Sequence, residues 1–404
     1  MNSSSRVLSI VIPAYNEEKA LPSIIERCLE ARAVLQKKTS LTDAEIIVVN
    51  DGSSDRTGEI ARPYHDRGQI KLISYEKNRG YGAAIKQGFG SSSGEFVGFL
   101  DADGTCDPAQ FVGLFNNLEA NKADISIGSR MGADSHMPVV RRVGNLLYVW
   151  LINWMGGSRV TDSASGMRVI RRTALDRIYP LPDGMNFTPA MSAKAVLDKD
   201  LKIVEMFMPY EERIGRSKLR VGKDGLIFLK TIFDIGLFYK PMKFFWTVAF
   251  ILFVACLFYG MPLIGFYCVN GRILETDIYR ILAIVVAGVL GTTVFLLGIT
   301  ADEVVSIFSG RPLLHERVRN GFLKGVLQPR TMAVFGALIA VGGIALNHEV
   351  IREYILYRTI RVHWLYVATG ALWVLVGAEI VVAAFLQKLL LMYQEVLRFR
   401  NRST

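Results

Sequence analysis

Two patterns of apolar residues divide this 404-residue chain. Up to about residue 240, apolar runs are short and are broken by Gly, Pro, Asp and Ser; beyond it, long and nearly uncharged stretches follow. In the first part VLSIVIPA (7–14), AEIIVVND (44–51), QIKLISYE (69–76), EFVGFLDAD (95–103) and DISIGSR (124–130) have the length and content of buried strands. Residues 18–36 and 80–90 place apolar positions at helical spacing, and DGSSDRTGEIA opens another helix with Ser54 or Asp55 as its cap. Alternating strands and helices predict an α/β domain with a mostly parallel sheet covered on both faces. NLLYVWLINWMG (145–156) is too short to cross a bilayer and reads as a core helix.

The second pattern begins with GKDGLIFLKTIFDIGLFYK (222–240), where Lys and Asp mix with bulky apolar residues at helical spacing, as in a helix lying in a membrane interface. Residues 243–267, 279–299, 331–347 and 364–387 are long and apolar enough to span a bilayer, the third at the lower limit. The expected organisation is a catalytic domain (1–220), an interfacial helix or linker (221–242) and an all-α membrane domain (243–404). The spanning segments are expected to carry almost no buried ionisable residue of the kind transport pathways need, which favours anchoring. Ala287 to Gly291 and Gly336 to Ala340 are small-residue spacings that pack helices within a chain or between chains, so a homo-oligomer is one arrangement they allow.

Charge refines this picture. The formal net charge is +10, and the basic residues flank the hydrophobic segments without forming runs interleaved with aromatics. That distribution points to lipid headgroups and argues against nucleic acid. Arg311, Arg317, Arg319, Lys324 and Arg330 lie in one connection, and Lys388, Arg398, Arg400 and Arg402 in the tail. The 270–277 loop has only Arg272, while 348–362 has Arg352, Arg358 and Arg361. The bias puts the catalytic domain, the 300–330 connection and the tail on the cytoplasmic side of the cytoplasmic membrane. The N-terminus enters a strand at once, unlike a signal peptide. Cys28, Cys106, Cys256 and Cys268 show no CxxC spacing, so neither zinc nor a redox pair is indicated.

In open α/β sheets ligands gather at the carboxyl ends of strands. Tyr15, Asn16, Glu17, Asp51, Asp101, Asp103 and Arg130 follow such ends and are expected to converge. Asp101 and Asp103, in FVGFLDADGTCDP, are hard oxygen donors of the kind that share Mg²⁺ or Mn²⁺ with substrate phosphates. Such a cation neutralises charge on a departing nucleoside diphosphate. NRGYGAAIKQGFG is Gly-rich but lacks the GK[ST] of a Walker loop, and its glycines suit close packing of a helix on the sheet.

Taken in order, SIVIPAYNEE, IIVVNDGSSDRT, NRGYGAAIKQGF and LDADG resemble glycosyltransferase family 2 over roughly the first 220 residues. The resemblance implies a GT-A fold and a nucleotide-sugar donor. It implies Pro13, Tyr15, Glu17 and Asp51 around the base and ribose, and Asp101, Ala102 and Asp103 at the metal-bound diphosphate. Asn50-Asp51 stands where the family usually has two Asp. SIGSR (126–130), VRRVGN (140–145), TDSASGMRVIRR (161–172) and YEERIGRSKL (210–219) resemble the polyprenyl-phosphate sugar synthases, the group with dolichyl-phosphate mannose synthase and dolichyl-phosphate glucosyltransferase. That similarity implies phosphate contacts from Arg130 and Arg213 on the donor side and from Arg142, Ser217 and Lys218 on the acceptor side. Asp101, Asp103, Arg130 and Lys218 are then the catalytic set. Several relatives carry an acid where Ala190 stands here; a phosphate acceptor, already ionised near pH 7, needs no protein base. Asp162 reads as an accessory acid or a structural cap.

The implied reaction is inverting transfer of a sugar from a nucleoside diphosphate to polyprenyl phosphate. A processive polysaccharide synthase is the first alternative, but its usual QxxRW motif is missing, since no Arg-Trp pair occurs in the chain. A non-catalytic nucleotide-sugar- or lipid-binding regulator is the second, and the intact Asp101/Asp103 pair argues against it.

Overall fold

A computed structural model describes residues 6–133, 135–215, 217–309 and 311–400, apart from the side chains of Glu275 and 397–400. The chain forms two compact units, Met1–Gly236 and Leu237–Thr404. Most of the stretch expected as a linker therefore belongs with the first unit.

The first unit is built on strands β1 (Val7–Ala14), β2 (Asp43–Asp51), β3 (Lys71–Tyr75), β4 (Phe96–Phe99), β5 (Ile125–Ser129), β6 (Arg168–Arg171) and β7 (Ile203–Phe207). Their order across the sheet is β3-β2-β1-β4-β6-β5-β7. β6 runs antiparallel to β4 and β5, and the other pairings are parallel. Parallel strands covered on both faces read as continuous apolar runs, which is why β1, β2, β4 and β5 stand out in the sequence. β1 is buried from Leu8 to Ala14. β6 and β7 were not anticipated. β6 is only RVIR, with arginines at each end, and β7 is half-buried.

Helices α1 (Leu21–Lys38), α2 (Thr57–Asp66), α3 (Tyr81–Gly90), α4 (Gln110–Ala120), α5 (Val139–Met155), α6 (Arg172–Ile178), α7 (Phe187–Leu197) and α8 (Val221–Tyr239) complete the element order. Gly88 of α3 rests directly against Val11 of β1, leaving no room for a Cβ. This is the close packing expected of the NRGYGAAIKQGFG glycines.

The helix expected in the core at 145–156 is α5, and it is only half buried. Asn145, Val149, Ile152 and Met155 face inward, while Val139, Val140, Val143, Leu146, Leu147 and Trp150 are exposed. The short sequence window missed residues 139–144 and with them half of the exposed apolar stripe. α8 repeats the pattern, with Phe228 and Ile232 buried and Leu226, Ile227 and Phe233 exposed. The two helices meet where Tyr148 packs edge-on against Phe228 at 5.9 Å and donates a hydrogen bond to the Gly225 carbonyl at 3.0 Å.

The second unit contains α9 (Pro241–Asn270), α10 (Ile278–Phe308), the short α11 (Leu314–Arg317) and α12 (Gly321–Val326), then α13 (Pro329–Leu346), α14 (His348–Tyr357) and α15 (Trp364–Arg400). Among the described residues, four stretches are long and apolar enough to cross a membrane: Pro241–Asn270, Ile278–Phe308, Pro329–Leu346 and Trp364–Val396. The small residues pack within the chain. A Cβ on Gly377 would lie 2.5 Å from the Gly336 carbonyl and from the Ala340 amide, and Gly291 lies against the Phe253 ring of α9.

Ionisable side chains in these helices are few, and two of them join one helix to another. Thr293 on α10 donates to Glu379 on α15 at 2.6 Å. Asp302 and Glu303 are buried near the end of α10, beyond the expected boundary at 299, and Asp302 pairs with Arg317. Hydrogen bonds of this kind tie spanning helices together.

The seam between α13 and α15 yields a test. Gly377→Val forces the two backbones apart and is expected to destabilise the membrane unit by about 1–3 kcal/mol. Gly265→Val, at a position with nothing within 4 Å, should leave stability unchanged. Thermal unfolding of the detergent-solubilised protein compares the two.

Candidate active site

The carboxyl ends of β1, β2, β4 and β5 carry the polar residues singled out in the sequence, and hydrogen bonds between their loops fix the arrangement. After β1, Asn16 adopts a left-handed conformation with φ 53°. Its side chain accepts from the Ser54 amide at 2.8 Å, and its own amide donates to Ser53 Oγ at 3.0 Å. The Glu17 amide donates to Thr57 Oγ1 at 2.9 Å. The loops after β1 and β2 are thus one cross-linked layer.

Asn50 accepts from the Ser53 amide at 3.2 Å, so it shapes the turn after β2. Asp51 accepts the backbone amides of Arg79 and Gly80 at 2.8 and 2.9 Å, which pins the start of α3.

The Asp101-Ala102-Asp103 turn follows β4. Tyr81 donates to Asp101 Oδ1 at 2.7 Å, and the other Asp101 oxygen abuts Gly166, where a Cβ would clash. Burial, and next the neighbouring Asp103 carboxylate, push the Asp101 carboxyl up to about 7. Asp103 Oδ1 accepts from the Thr105 amide and hydroxyl at 3.1 and 2.6 Å. Asp103 Oδ2 accepts from Arg213 Nη1 at 2.6 Å. Gly104 sits at φ 80°, a conformation that costs glycine little, and Ile214 packs against it. The Ile214 amide donates to the Asp103 carbonyl and the Glu211 amide to the Thr105 carbonyl, at 2.9 and 3.0 Å. The 211–214 segment is therefore laced to the carboxylate turn.

Arg213 Nη2 also donates to Glu17 Oε1 at 2.5 Å. Lys218 Nζ donates to the same oxygen at 3.2 Å and to the Asn16 carbonyl at 2.8 Å. Burial raises the Glu17 carboxyl above its ordinary value, against the opposing pull of Arg213 and Lys218.

Arg130 is gripped by Asp162, with Nε to Oδ2 at 2.7 Å and Nη2 to Oδ1 at 2.9 Å, and its guanidinium lies 5.6 Å from the Tyr210 ring centre. Asp162 is fully buried and also accepts from the Ala164 amide at 3.1 Å. Its role here is to hold Arg130 and cap a turn. Burial alone would raise the Asp162 carboxyl, but Arg130 outweighs it and holds it below the usual range. A depressed acid stabilises the fold above its unfolded-state pKa, and this contribution is lost as pH falls through the folded value.

These elements enclose a cleft of about 430 Å³. Pro13, Tyr15, Glu17, Asp51, Asp101, Ala102, Asp103 and Arg130 line it, as do Arg213, Ser217 and Lys218. Arg142 does not. On α5 the cleft face is Val140, Arg141, Gly144, Asn145 and Tyr148, and Arg142 lies one helical step past it, exposed. Arg141 takes the expected place and donates to Ser217 Oγ at 2.7 Å. Ala190 is enclosed in the protein core and does not line the cleft, so its lack of a carboxylate carries no information about the acceptor. Tyr81, Arg141 and Gly166 were missed. The phase of α5 signals Arg141, whereas the contacts of Tyr81 and Gly166 with Asp101 join distant parts of the chain.

Among the described residues, no group of three or more His, Cys, Asp or Glu gathers that could hold a metal alone. Asp101 and Asp103 fit a hard divalent cation that takes one or two carboxylates and completes its shell with substrate phosphates and water. Asp162→Ala strands the Arg130 guanidinium and is expected to cost about 3–5 kcal/mol of stability in chemical unfolding.

Residues 9–179 match the family described as Glycosyl transferase family 2, and residues 241–401 match one described as Domain of unknown function (DUF8752). The low-salt glycan biosynthesis hexosyltransferase Agl6 of Haloferax volcanii is 34% identical over 225 residues, 54% of this chain. The match spans 51% of that protein, about half its length. The dolichyl-phosphate beta-glucosyltransferase ALG5D of Trichomonas vaginalis is 31% identical over 246 residues, 58% of this chain and 74% of that one. Glucosyl-3-phosphoglycerate synthase of Mycobacterium tuberculosis, solved with Mn²⁺, UDP and glucosyl-3-phosphoglycerate, aligns at 20% identity with a TM-score of 0.43, over 57% of this chain and 80% of that one. With a mostly parallel sheet that gathers the motif carboxylates in one cleft, and a relative matched at this identity over most of its length, the chain belongs to glycosyl transferase family 2.

Proposed function

We propose that this protein transfers a sugar, with inversion, from a nucleoside-diphosphate sugar to the phosphate of a polyprenyl phosphate at the cytoplasmic face of a membrane. The observation that carries the reading is the mixed lining of the cleft. It holds Asp101, Asp103 and Arg130, the apolar side chains of Val140, Tyr148, Val221 and Phe228 from α5 and α8, and the hydrogen-bonded pair Arg141 and Ser217. A substrate with a charged head on an apolar tail matches that combination of surfaces. The exposed apolar stripes of α5 and α8 suit a membrane interface, where such a tail resides. Arginine and lysine in the 300–330 connection support the cytoplasmic orientation. The relatives named as dolichyl-phosphate glucosyltransferases support the same substrate class.

In this reading Pro13, Tyr15 and Asp51 border the nucleoside, and Arg130 faces the diphosphate. Arg141, Ser217 and Lys218 supply donors to the acceptor phosphate. An acceptor oxygen attacks the anomeric carbon, a new C–O bond forms, and the bond to the diphosphate breaks with its electron pair leaving on the nucleotide. A divalent cation at Asp101 and Asp103 supplies neutralisation of that leaving charge. The acceptor is ionised before it arrives, so no side chain has to remove a proton. The acids of the cleft are engaged elsewhere: Glu17 by Arg213 and Lys218, Asp51 by amides, Asp101 by Tyr81 and Asp103 by Thr105 and Arg213. Holding the two substrates in line supplies much of the remaining rate.

Incubating the purified protein with polyprenyl phosphate and a panel of nucleotide-sugars, with mass spectrometry of the lipid, tests the assignment. Asp103→Asn is expected to lower transfer by at least ~100-fold, comparable to loss of a charge-stabilising group elsewhere, while thermal unfolding remains cooperative. Full activity in that variant and in a chelator sinks the cation role. Polyprenyl phosphate should accept sugar and free polyprenol should not; equal transfer to polyprenol means that a protein base operates.

A further inference from the structure

We propose that Arg213 is a built-in competitor for the cation-binding oxygen of Asp103, held in place by Glu17, so that the cation releases the basic loop that serves the phosphates. This rests on the reading that Asp101 and Asp103 take a divalent cation.

The geometry is specific. Asp103 Oδ1 is committed to Thr105, which leaves Oδ2 as the oxygen able to reach a ligand, and Arg213 Nη1 holds that oxygen at 2.6 Å. The other arm of the same guanidinium holds Glu17 Oε1 at 2.5 Å. One planar cation therefore bridges acids that follow two adjacent strands, β1 and β4. A divalent cation binding through Oδ2 competes with Arg213 there, because two positive groups drawn to one oxygen repel each other.

The grip is also incomplete. Arg213 Nε is buried with no hydrogen-bond partner, so the third face of the guanidinium is unsatisfied where it stands. Phosphate oxygens accept several such donors at once, which favours Arg213 turning to phosphate once Asp103 is taken. Gly215 follows at φ 91° with nothing within 4 Å of its missing Cβ, which leaves space beside the loop at that point. Lys218 shares the Glu17 oxygen, so loosening Arg213 also changes the partner balance of Lys218. Donor and cation would then bind first, and the freed Arg213 and Lys218 would meet phosphate second.

The test uses the full-length protein in detergent and Mn²⁺ alone as the probe. Coupling between sites is reciprocal and commonly roughly 5–150-fold. Arg213→Ala is expected to tighten Mn²⁺ binding, measured by calorimetry, by at least about fivefold, the low end of that range. Lys218→Ala removes the same charge without touching Asp103, and should tighten it less. Arg213→Gln repeats the comparison if the alanine variant does not fold. In the wild type, Mn²⁺ should also speed trypsin cleavage after Lys218. Equal effects of the two alanine variants, or no tightening in Arg213→Ala while the wild type binds Mn²⁺, overturn the competition and leave the cation reading standing. Cleavage that is unchanged by bound Mn²⁺ overturns loop release. No Mn²⁺ binding in any variant, with UDP added as well as without it, removes the cation reading, and the competition with it.

Discussion

Crowded negative charge is the constraint around which the catalytic unit is arranged. Parallel strands deliver Glu17, Asp51, Asp101 and Asp103 to one end of the sheet. Two like charges 4 Å apart repel by about 4 kcal/mol at the effective dielectric typical near a protein surface. Each acid meets a specific counterweight. Asp51 takes two amides, Asp101 a tyrosine hydroxyl, and Asp103 a threonine and one arm of Arg213. Burial first, and the Asp103 carboxylate second, still push the Asp101 carboxyl up to about 7. A cleft balanced in this way gains from any cation that enters it, whether guanidinium, ammonium or metal.

Positive charge is supported with equal economy. Arg130 is aimed by a buried aspartate, and that aspartate by a neighbouring amide. Arg168 pairs with Phe99 at the carboxyl end of β4, is completely buried, and donates to the carbonyls of Ser163, Ser165 and Thr188 and to Ser192 Oγ. Among the described residues it has no direct carboxylate partner, and its bonds to backbone carbonyls knit the 163–192 region together.

Legibility in the sequence followed physical locality. β1, β2 and β4 announce themselves because strands buried on both faces need uninterrupted apolar runs, and the acids just past them had to share one edge of the sheet. β6 stayed hidden because its buried arginine is held through Nε and Nη2 by carbonyls that no local pattern announces, while Nη1 has no hydrogen-bond partner. Arg141 and Arg142 differ by one residue, and only the true start of α5 at Val139 decides which of them faces the cleft. The exposed stripe of that helix was read as core, since apolar spacing alone does not say whether protein or lipid covers it. Ala190 was weighed as a missing catalytic acid, and burial inside α7 removes it from the chemistry.

The glycine seam between α13 and α15 has a consequence for the lipid around the protein. With 18 residues, α13 reaches about 27 Å at 1.5 Å per residue, whereas α10, with 31 residues, reaches about 46 Å. A bilayer core is typically about 30 Å thick. Contact between backbones along the seam gives α13 little freedom to slide along its neighbour, so the short helix defines the hydrophobic thickness that suits this unit, and longer helices accommodate by tilting or by extending past the core. A bilayer core of about 27 Å matches α13 without distortion, and a thicker one has to thin beside it.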